Sequence, residues 1–269
     1  MDIKDRIIVA LDVEIFERAK PLIEDLIPHV NYFKVGLNLI STGESQQTAE
    51  FVHNARGKVF LDGKLNDIPN TIKEASKAIR KKGVEMFNLH CSVGAAGMIA
   101  AREGVNKAFS TDETIMVDYK ILHTEPKILG VTILTSHNYD SLVETGFFEE
   151  LNIANIQELR QIQRQRMEAL VIRLALLAQD NGLDGVIASP HEIEAIRNCC
   201  QPEFLVVTPG VRPKWANVND QKRVMTAAEA IQRGADHLVI GRPITQPPPD
   251  IGTPIDAVKL IPDEINSVL

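Results

Sequence analysis

Short, continuously apolar runs alternate along the chain with stretches in which apolar residues recur every three or four positions. The runs fall at Ile7–Leu11, Tyr32–Val35, Val59–Leu61, Met86–Leu89, Gly130–Leu134, Gly185–Ala188, Phe204–Val207 and His237–Ile240. Their shortness and β-branched or aromatic content predict strands. The helical period appears over Glu14–Leu26, Asn70–Lys82 and Ala227–Arg233, and Leu159, Ile162, Arg166 and Leu170 mark a long amphipathic helix within Phe147–Leu177. Strands that are apolar throughout and alternate with helices predict a parallel sheet covered on both faces. Eight such units with no strand block left over favour closure. The expected fold is therefore α/β, a (β/α)8 TIM barrel, for which about 250 residues are typical. Residues 1–269 are expected to form it as one domain. Two connections are longer than a barrel requires, 103–127 and 147–170, and both read as surface insertions. The tail, with Pro247, Pro248 and Pro249 ahead of Asp256–Leu269, reads as a loop and a last helix closing the barrel.

Composition narrows the function classes. The net charge is −7 and the pI is near 5.6, which argues against non-specific nucleic-acid binding, since a phosphate backbone needs a basic surface. An anionic ligand would need a local basic pocket. Cys91, Cys199 and Cys200 form no CxxC pair, so neither a disulfide framework nor a zinc site is expected. The segment MDIKDRIIVALD runs straight into a strand-like stretch without an apolar signal region, and the apolar runs fall short of the roughly 20 residues that span a bilayer. A reduced, cytoplasmic setting without membrane contact is the expectation. No G-x-G-x-x-G or G-x-x-x-x-G-K-[ST] follows any strand, which lowers the dinucleotide and P-loop alternatives.

Chemistry in such a barrel sits where strands end and the following loops begin. The densest polar group at those ends is FLDGKLNDIPNT, residues 60–71. Asp62 and Lys64 are two apart and share one face of a strand end. Asp67 follows after the chain has turned, with Pro69 restricting the entry to the next helix. Asp12 and Lys34 end the two preceding strands. This set of lysines and carboxylates at one mouth presents preorganised charge to a substrate whose charge moves during reaction. Burying that many charges is costly, which favours function over a structural ion-pair network. A second group lies late in the chain. Arg212 follows the seventh strand in VVTPGVRP, Gln221 lies in NDQKRVMT, and Gly241-Arg242 follow the eighth strand in VIGRPIT. Loops after strands seven and eight frequently build a phosphate site from glycine N–H groups, and an arginine there forks onto phosphate oxygens. Thr135 and Ser136 in ILTS are read as ending strand five, where hydroxyls would either meet a base edge or cap the next helix. His90 reads as a packed, hydrogen-bonded barrel residue. No His-x-Asp or His-x-His pair suggests a divalent metal site.

Together these residues resemble the orotidine 5′-monophosphate decarboxylase family of the pyrimidine pathway. The pattern D-x-K-x-x-D-I-P-N-T at 62–71 is similar to that family's catalytic signature. The tracts ALD at 10–12, KVG at 34–36, LTS at 134–136, TPGVR at 208–212, NDQKRVMT and IGRPIT follow in the family's order. The resemblance implies decarboxylation at C6 of the orotate ring without metal or organic cofactor, with Lys64 as proton donor within the set Lys34, Asp62, Lys64 and Asp67. It implies that Asp12, Lys34, Asp67, Ile68 and Thr71 contact the nucleotide's sugar side, that Thr135 and Ser136 contact the pyrimidine, and that Arg212, Gln221, Gly241 and Arg242 hold the phosphate. It also implies a homodimer whose active sites are shared, Asp67 reaching into the neighbour's. One departure stands in the motif: Gly63 replaces the bulky apolar residue usual between the Asp and the Lys. The nearest rival is a metal-dependent sugar-phosphate aldolase of the hexulose-phosphate synthase kind, which shares D-x-K-x-x-D. The I-P-N-T extension and the Gln221 tract favour the decarboxylase. A catalytically silent nucleotide-binding barrel would be expected to lack Lys64 or Asp67, and both are present.

Overall fold

The computed structural model describes residues 1–107, 125–216 and 225–268. Eight parallel strands close into a barrel in chain order, β1 (Ile7–Leu11), β2 (Tyr32–Val35), β3 (Lys58–Leu65), β4 (Met86–His90), β5 (Lys127–Val131), β6 (Gly185–Ile187), β7 (Leu205–Pro209) and β8 (His237–Ile240), with β8 pairing back onto β1. Alternation along each strand separates two cores. In β1, Ile8 and Ala10 point inward and join Phe60, Met86, Leu129, Val131, Ile187, Val207 and Val239 in a cluster that fills the barrel. Ile7, Val9 and Leu11 point outward into a larger cluster beneath the helices. Both faces of the sheet are largely dry, which is why its strands read as mainly apolar runs. Phe33 and Phe87 are fully buried in the outer layer, each contributing roughly 1.5–3 kcal/mol of burial.

The helices start where local chemistry favours a start. Pro69 opens the helix Pro69–Lys81, its fixed φ suiting the first turn. Asn155 caps the helix Ile156–Asp180, its side-chain oxygen accepting from the backbone N–H of Gln157 and Glu158. This 25-residue helix begins within the long connection 147–170 and runs on beyond it. Its N-terminal turns are largely exposed, but from Met167 onward Val171, Ala175 and Ala178 pack into the outer core. The helix is thus an extended wall element of the barrel. The long segment 103–127 is described only at its ends, where the helix Gly94–Lys107 finishes and β5 begins; residues 108–124 lie outside the described set.

Five strands differ from the sequence expectation, three of them by only one or two residues at an end; the third and the fifth differ by more. The fifth lies at Lys127–Val131, three residues upstream of the predicted Gly130–Leu134. The third runs on to Leu65 and so carries Asp62 and Lys64 within it. Among the described residues no helix is long and apolar enough to cross a membrane.

Candidate active site

Three neighbouring strands deliver charge to the C-terminal end of the barrel. Register pairs Ala10 with Lys34 and Lys34 with Phe60, so these three residues share one level. Asp12 and Asp62 stand two residues further along their strands, on the same face. Lys34 Nζ therefore reaches both, donating to Asp12 Oδ1 at 2.8 Å and lying 3.1 Å from Asp62 Oδ2. Lys64 Nζ donates to Asp62 Oδ1 at 2.6 Å. The row reads Asp12, Lys34, Asp62, Lys64, with alternating sign. Gly36 leaves room for it, since a Cβ at that position would come within 2.9 Å of Lys34 Nζ.

Burial grades along the row. Side-chain exposure is 58% for Asp12, 11% for Lys34, 10% for Asp62 and 27% for Lys64. Burial alone would lower the Lys34 pKa, but the carboxylates of Asp62 and Asp12 outweigh it and hold the ammonium above the usual lysine range. Burial alone would raise the Asp62 pKa, but Lys34 and Lys64 outweigh it and hold the carboxyl below 3.8. Both groups are thus charged at neutral pH. Because the folded-state pKa of Asp62 is depressed, its stabilisation is present above the ordinary carboxylate range and fades only as pH falls through the lowered value.

The strand carrying this motif is irregular. Leu61 pairs with Phe87 and Leu65 with Leu89, so Asp62, Gly63 and Lys64 stand opposite Asn88 alone. The excess bulges into the mouth, and Lys64 adopts a φ of 49°, a left-handed conformation that costs an L residue roughly 1–2 kcal/mol. Gly63 is not demanded by packing: a Cβ there would meet only Ile40 Cδ1, at 3.7 Å.

The row borders a cavity of about 230 Å³. Its apolar walls include Ile133, Leu134, Ile187 and Val239. In an eight-stranded closed barrel β7 stands across from β3, and the cavity's lining there passes to Gly210 and Arg212, then to Gly241 and Arg242 after β8. Arg212 is 7% exposed, and its backbone N–H donates to Met225 O at 2.9 Å, tying together the two ends of the loop between them. Positive charge for an anion is thus set apart from the alternating row, across one small apolar chamber.

Of the residues singled out from sequence, the cavity gathers Asp12, Lys34, Asp62, Lys64, Thr135, Arg212, Gly241 and Arg242. Thr135 and Ser136 do not end a strand. They lie in the loop after β5; Thr135 lines the cavity and Ser136 is exposed outside it. Asp67, Ile68 and Thr71 are exposed and do not line the chamber of their own chain; Asp67 Oδ1 accepts from Ile68 N at 2.7 Å. Gln221 falls outside the described residues. His90 ends β4 half-buried, and burial followed by the Lys64 charge lowers its pKa, favouring a neutral imidazole. Among the described residues its ring makes no hydrogen bond, contrary to expectation. Sequence reasoning missed Asn88, a buried amide in the middle of β4 that bonds both Asp62 and Lys64. Its signal was a lone polar residue inside the apolar run MFNLH. It also missed the apolar wall residues, which look like any core residue.

Comparison with known proteins agrees with this geometry. Residues 5–252 match the orotidine 5′-phosphate decarboxylase / HUMPS family. An orotidine 5′-phosphate decarboxylase from Trichlorobacter lovleyi is 44% identical over 262 residues, covering 97% of this chain and 95% of the relative. One from Syntrophomonas wolfei is 40% identical, covering 98% and 99%. The crystal structure of the orotidine 5′-phosphate decarboxylase from Lactobacillus acidophilus superposes with a TM-score of 0.75 at 30% identity, covering 97% of this chain and 99% of that one. Full-length similarity of this degree, with the motif residues gathered at one cavity, means that the chain belongs to the orotidine 5′-phosphate decarboxylase / HUMPS family.

Proposed function

We propose that this protein decarboxylates orotidine 5′-monophosphate to UMP and CO2, the last step of de novo UMP synthesis. The observation that carries the reading is the Asp12–Lys34–Asp62–Lys64 row facing Arg212, Gly241 and Arg242 across one cavity. A nucleotide bound with its phosphate on the arginine side places its base toward the row. The C6–carboxylate bond then breaks heterolytically, CO2 leaves, and the electron pair stays on C6. The Lys64 ammonium donates its proton to C6, giving UMP, and the resulting amine regains a proton from water. Fixed charges already paired in the free enzyme need little reorganisation as this carbanion forms. Phosphate contacts, remote from C6, supply binding energy that holds the nucleotide against the row.

The family also includes the HUMPS branch, and an aldolase of the metal-dependent kind would need open carboxylate oxygens. Here both oxygens of Asp62 already carry lysine ammonium groups, which supports the decarboxylase reading and cofactor-independent chemistry. The direct test is ultraviolet detection of orotidine 5′-monophosphate turnover with and without EDTA. Turnover is expected to be equal in both; loss of activity on chelation, restored by a divalent cation, would reverse the assignment.

Phosphate gripping is separable from chemistry. Arg242→Ala is expected to lower kcat/KM by roughly 1.5–3 kcal/mol, the usual value of a charged hydrogen bond. Orotidine, which lacks the phosphate, is expected to be nearly indifferent to the change. An equal loss on both substrates would remove Arg242 from the grip.

The reading extends to a homodimer with shared sites. Its support is the exposed run Asp67–Thr71, in which Ile68 leaves 67% of its surface in solvent, an unusual exposure for an isoleucine. An isologous two-fold contact over this face would cover that apolar surface and carry Asp67 to the partner's row. A cytoplasmic, membrane-free setting fits the same reading.

A further inference from the structure

We infer that Asn88 is a positioning residue for the Asp62–Lys64 pair. Its side chain takes the place of the ladder partner that the β3 bulge removes. Asn88 is 1% exposed and points into the barrel, two residues beyond Met86 on the inward face of β4. Its Oδ1 accepts from the backbone N–H of Lys64 at 2.7 Å, and its Nδ2 donates to Asp62 Oδ1 at 2.7 Å. One amide therefore grips both ends of the bulge, and each grip sets something the reaction uses.

The first bond meets the N–H that the irregular register leaves without a strand partner, and it lies at the residue whose φ is 49°. A left-handed lysine persists only where its surroundings over-determine it. The second bond fixes which way the Asp62 carboxylate faces. Oδ1 accepts from both Asn88 and Lys64 Nζ, leaving Oδ2 to Lys34. With the amide in place, the Lys64 ammonium has one strand conformation and one carboxylate oxygen to lie against. Without it, a Lys64 still present would spend its time over a wider arc. The amide suits this position because it offers an acceptor to the N–H and a donor to the carboxylate. A carboxylate in its place would set a second negative oxygen against Asp62.

This inference rests on the decarboxylase reading, and wild-type turnover of orotidine 5′-monophosphate serves as its control. Inactive wild-type protein would overturn that reading itself. With active wild type, Asn88→Leu and Asn88→Asp are compared for kcat, for KM and for UMP affinity by calorimetry. Asn88→Leu is expected to lower kcat by about 10- to 100-fold while KM and UMP affinity stay within about 3-fold, because the phosphate side of the cavity is untouched. Asn88→Asp supplies a reading that a packing role would not move. The groups facing this position are Asp62 and Lys64 from β3, with Lys34 behind Asp62 and His90 further along β4. Protonation of the carboxylate introduced by Asn88→Asp restores the donor to Asp62, so the ratio of that variant's kcat to wild type is expected to rise as pH falls from about 8 toward about 5.5. Asn88→Leu is expected to show no such rise. A kcat within about 3-fold of wild type in Asn88→Leu, or equal losses in kcat and UMP affinity, would overturn the inference. So would a flat pH ratio for Asn88→Asp. Failure of both variants to fold would make Asn88 a structural residue and overturn the positioning role as well.

Discussion

Lys64→Ala is expected to abolish turnover while the barrel stays folded. The lysine reaches the cavity with its ammonium 2.6 Å from Asp62, and no other lysine of the motif stands at the open end of the row. Lys34 is held between two carboxylates, Asp12 and Asp62. Removing Lys64 takes away the proton for C6 and leaves the buried Asp62 short of one positive neighbour. Positioned proton transfer alone is typically worth roughly 10²–10⁴-fold, and the lost electrostatic stabilisation adds to that. Folding is expected to survive, because Asp62 keeps Lys34 and Asn88 as partners. Alanine also accepts the backbone at φ 49° about as well as lysine does, so no new conformational cost arises. The checks are single-turnover kinetics beside a thermal melt. Retention of more than about a tenth of wild-type kcat, a deficit under ~1.4 kcal/mol, would show that another group supplies the proton.

The second large effect is a recovery. The Lys64→Ala and Asp67→Ala variants are each expected to be nearly inactive. If Asp67 serves the partner's site, every site draws Lys64 from one chain and Asp67 from the other. Mixing the two variants and allowing subunits to exchange then gives mixed dimers with one doubly damaged site and one intact site. Random pairing makes about half the dimers mixed, so activity is expected to return to roughly a quarter of wild type. Exchange is verified by mass spectrometry of chains of different tag length. Complete exchange with activity no higher than that of the separate variants would place Asp67 in its own chain's site and end the shared-site reading. The exposed position of Asp67, outside the cavity of its own chain, is what makes the experiment worth doing.

Much of this architecture was readable from pattern because the two faces of the sheet are both largely dry. Ile7–Leu11, Tyr32–Val35 and His237–Ile240 match their predicted limits, since each apolar run stops where the chain leaves the barrel. The fifth strand shifted for an instructive reason. Ile133 and Leu134 continue the apolar run beyond the ladder because they wall the cavity. Burial against a ligand space and burial in a sheet leave the same mark on a sequence. The charged row was legible because ionisable residues at three successive strand ends are improbable as packing. Asn88 was not, because one amide inside a strand says nothing about what it faces until the bulge opposite it is seen. The bulge in turn had no signature beyond Gly63. The place of Asp67 outside its own cavity depends on the turn after β3, which local pattern does not resolve.

The plugged interior of the barrel has a consequence for traffic. Ala10, Phe60 and Val131 form the floor of the cavity, and Ile8, Tyr32 and Met86 seal the barrel beneath it. Among the described residues the chamber is a cup, closed below by this core and lined at its mouth by the row and by Arg242. A nucleotide held between Arg242 and the row is released from that same mouth. UMP keeps the phosphate and ribose of its precursor and has lost only the carboxylate. Each increment of affinity that retains the substrate at the rim therefore also detains the product, and the residence time of UMP sets a ceiling on throughput. A protein built this way gains speed from a rim that loosens between turnovers, because a stronger grip would only lengthen the time the product occupies the cup.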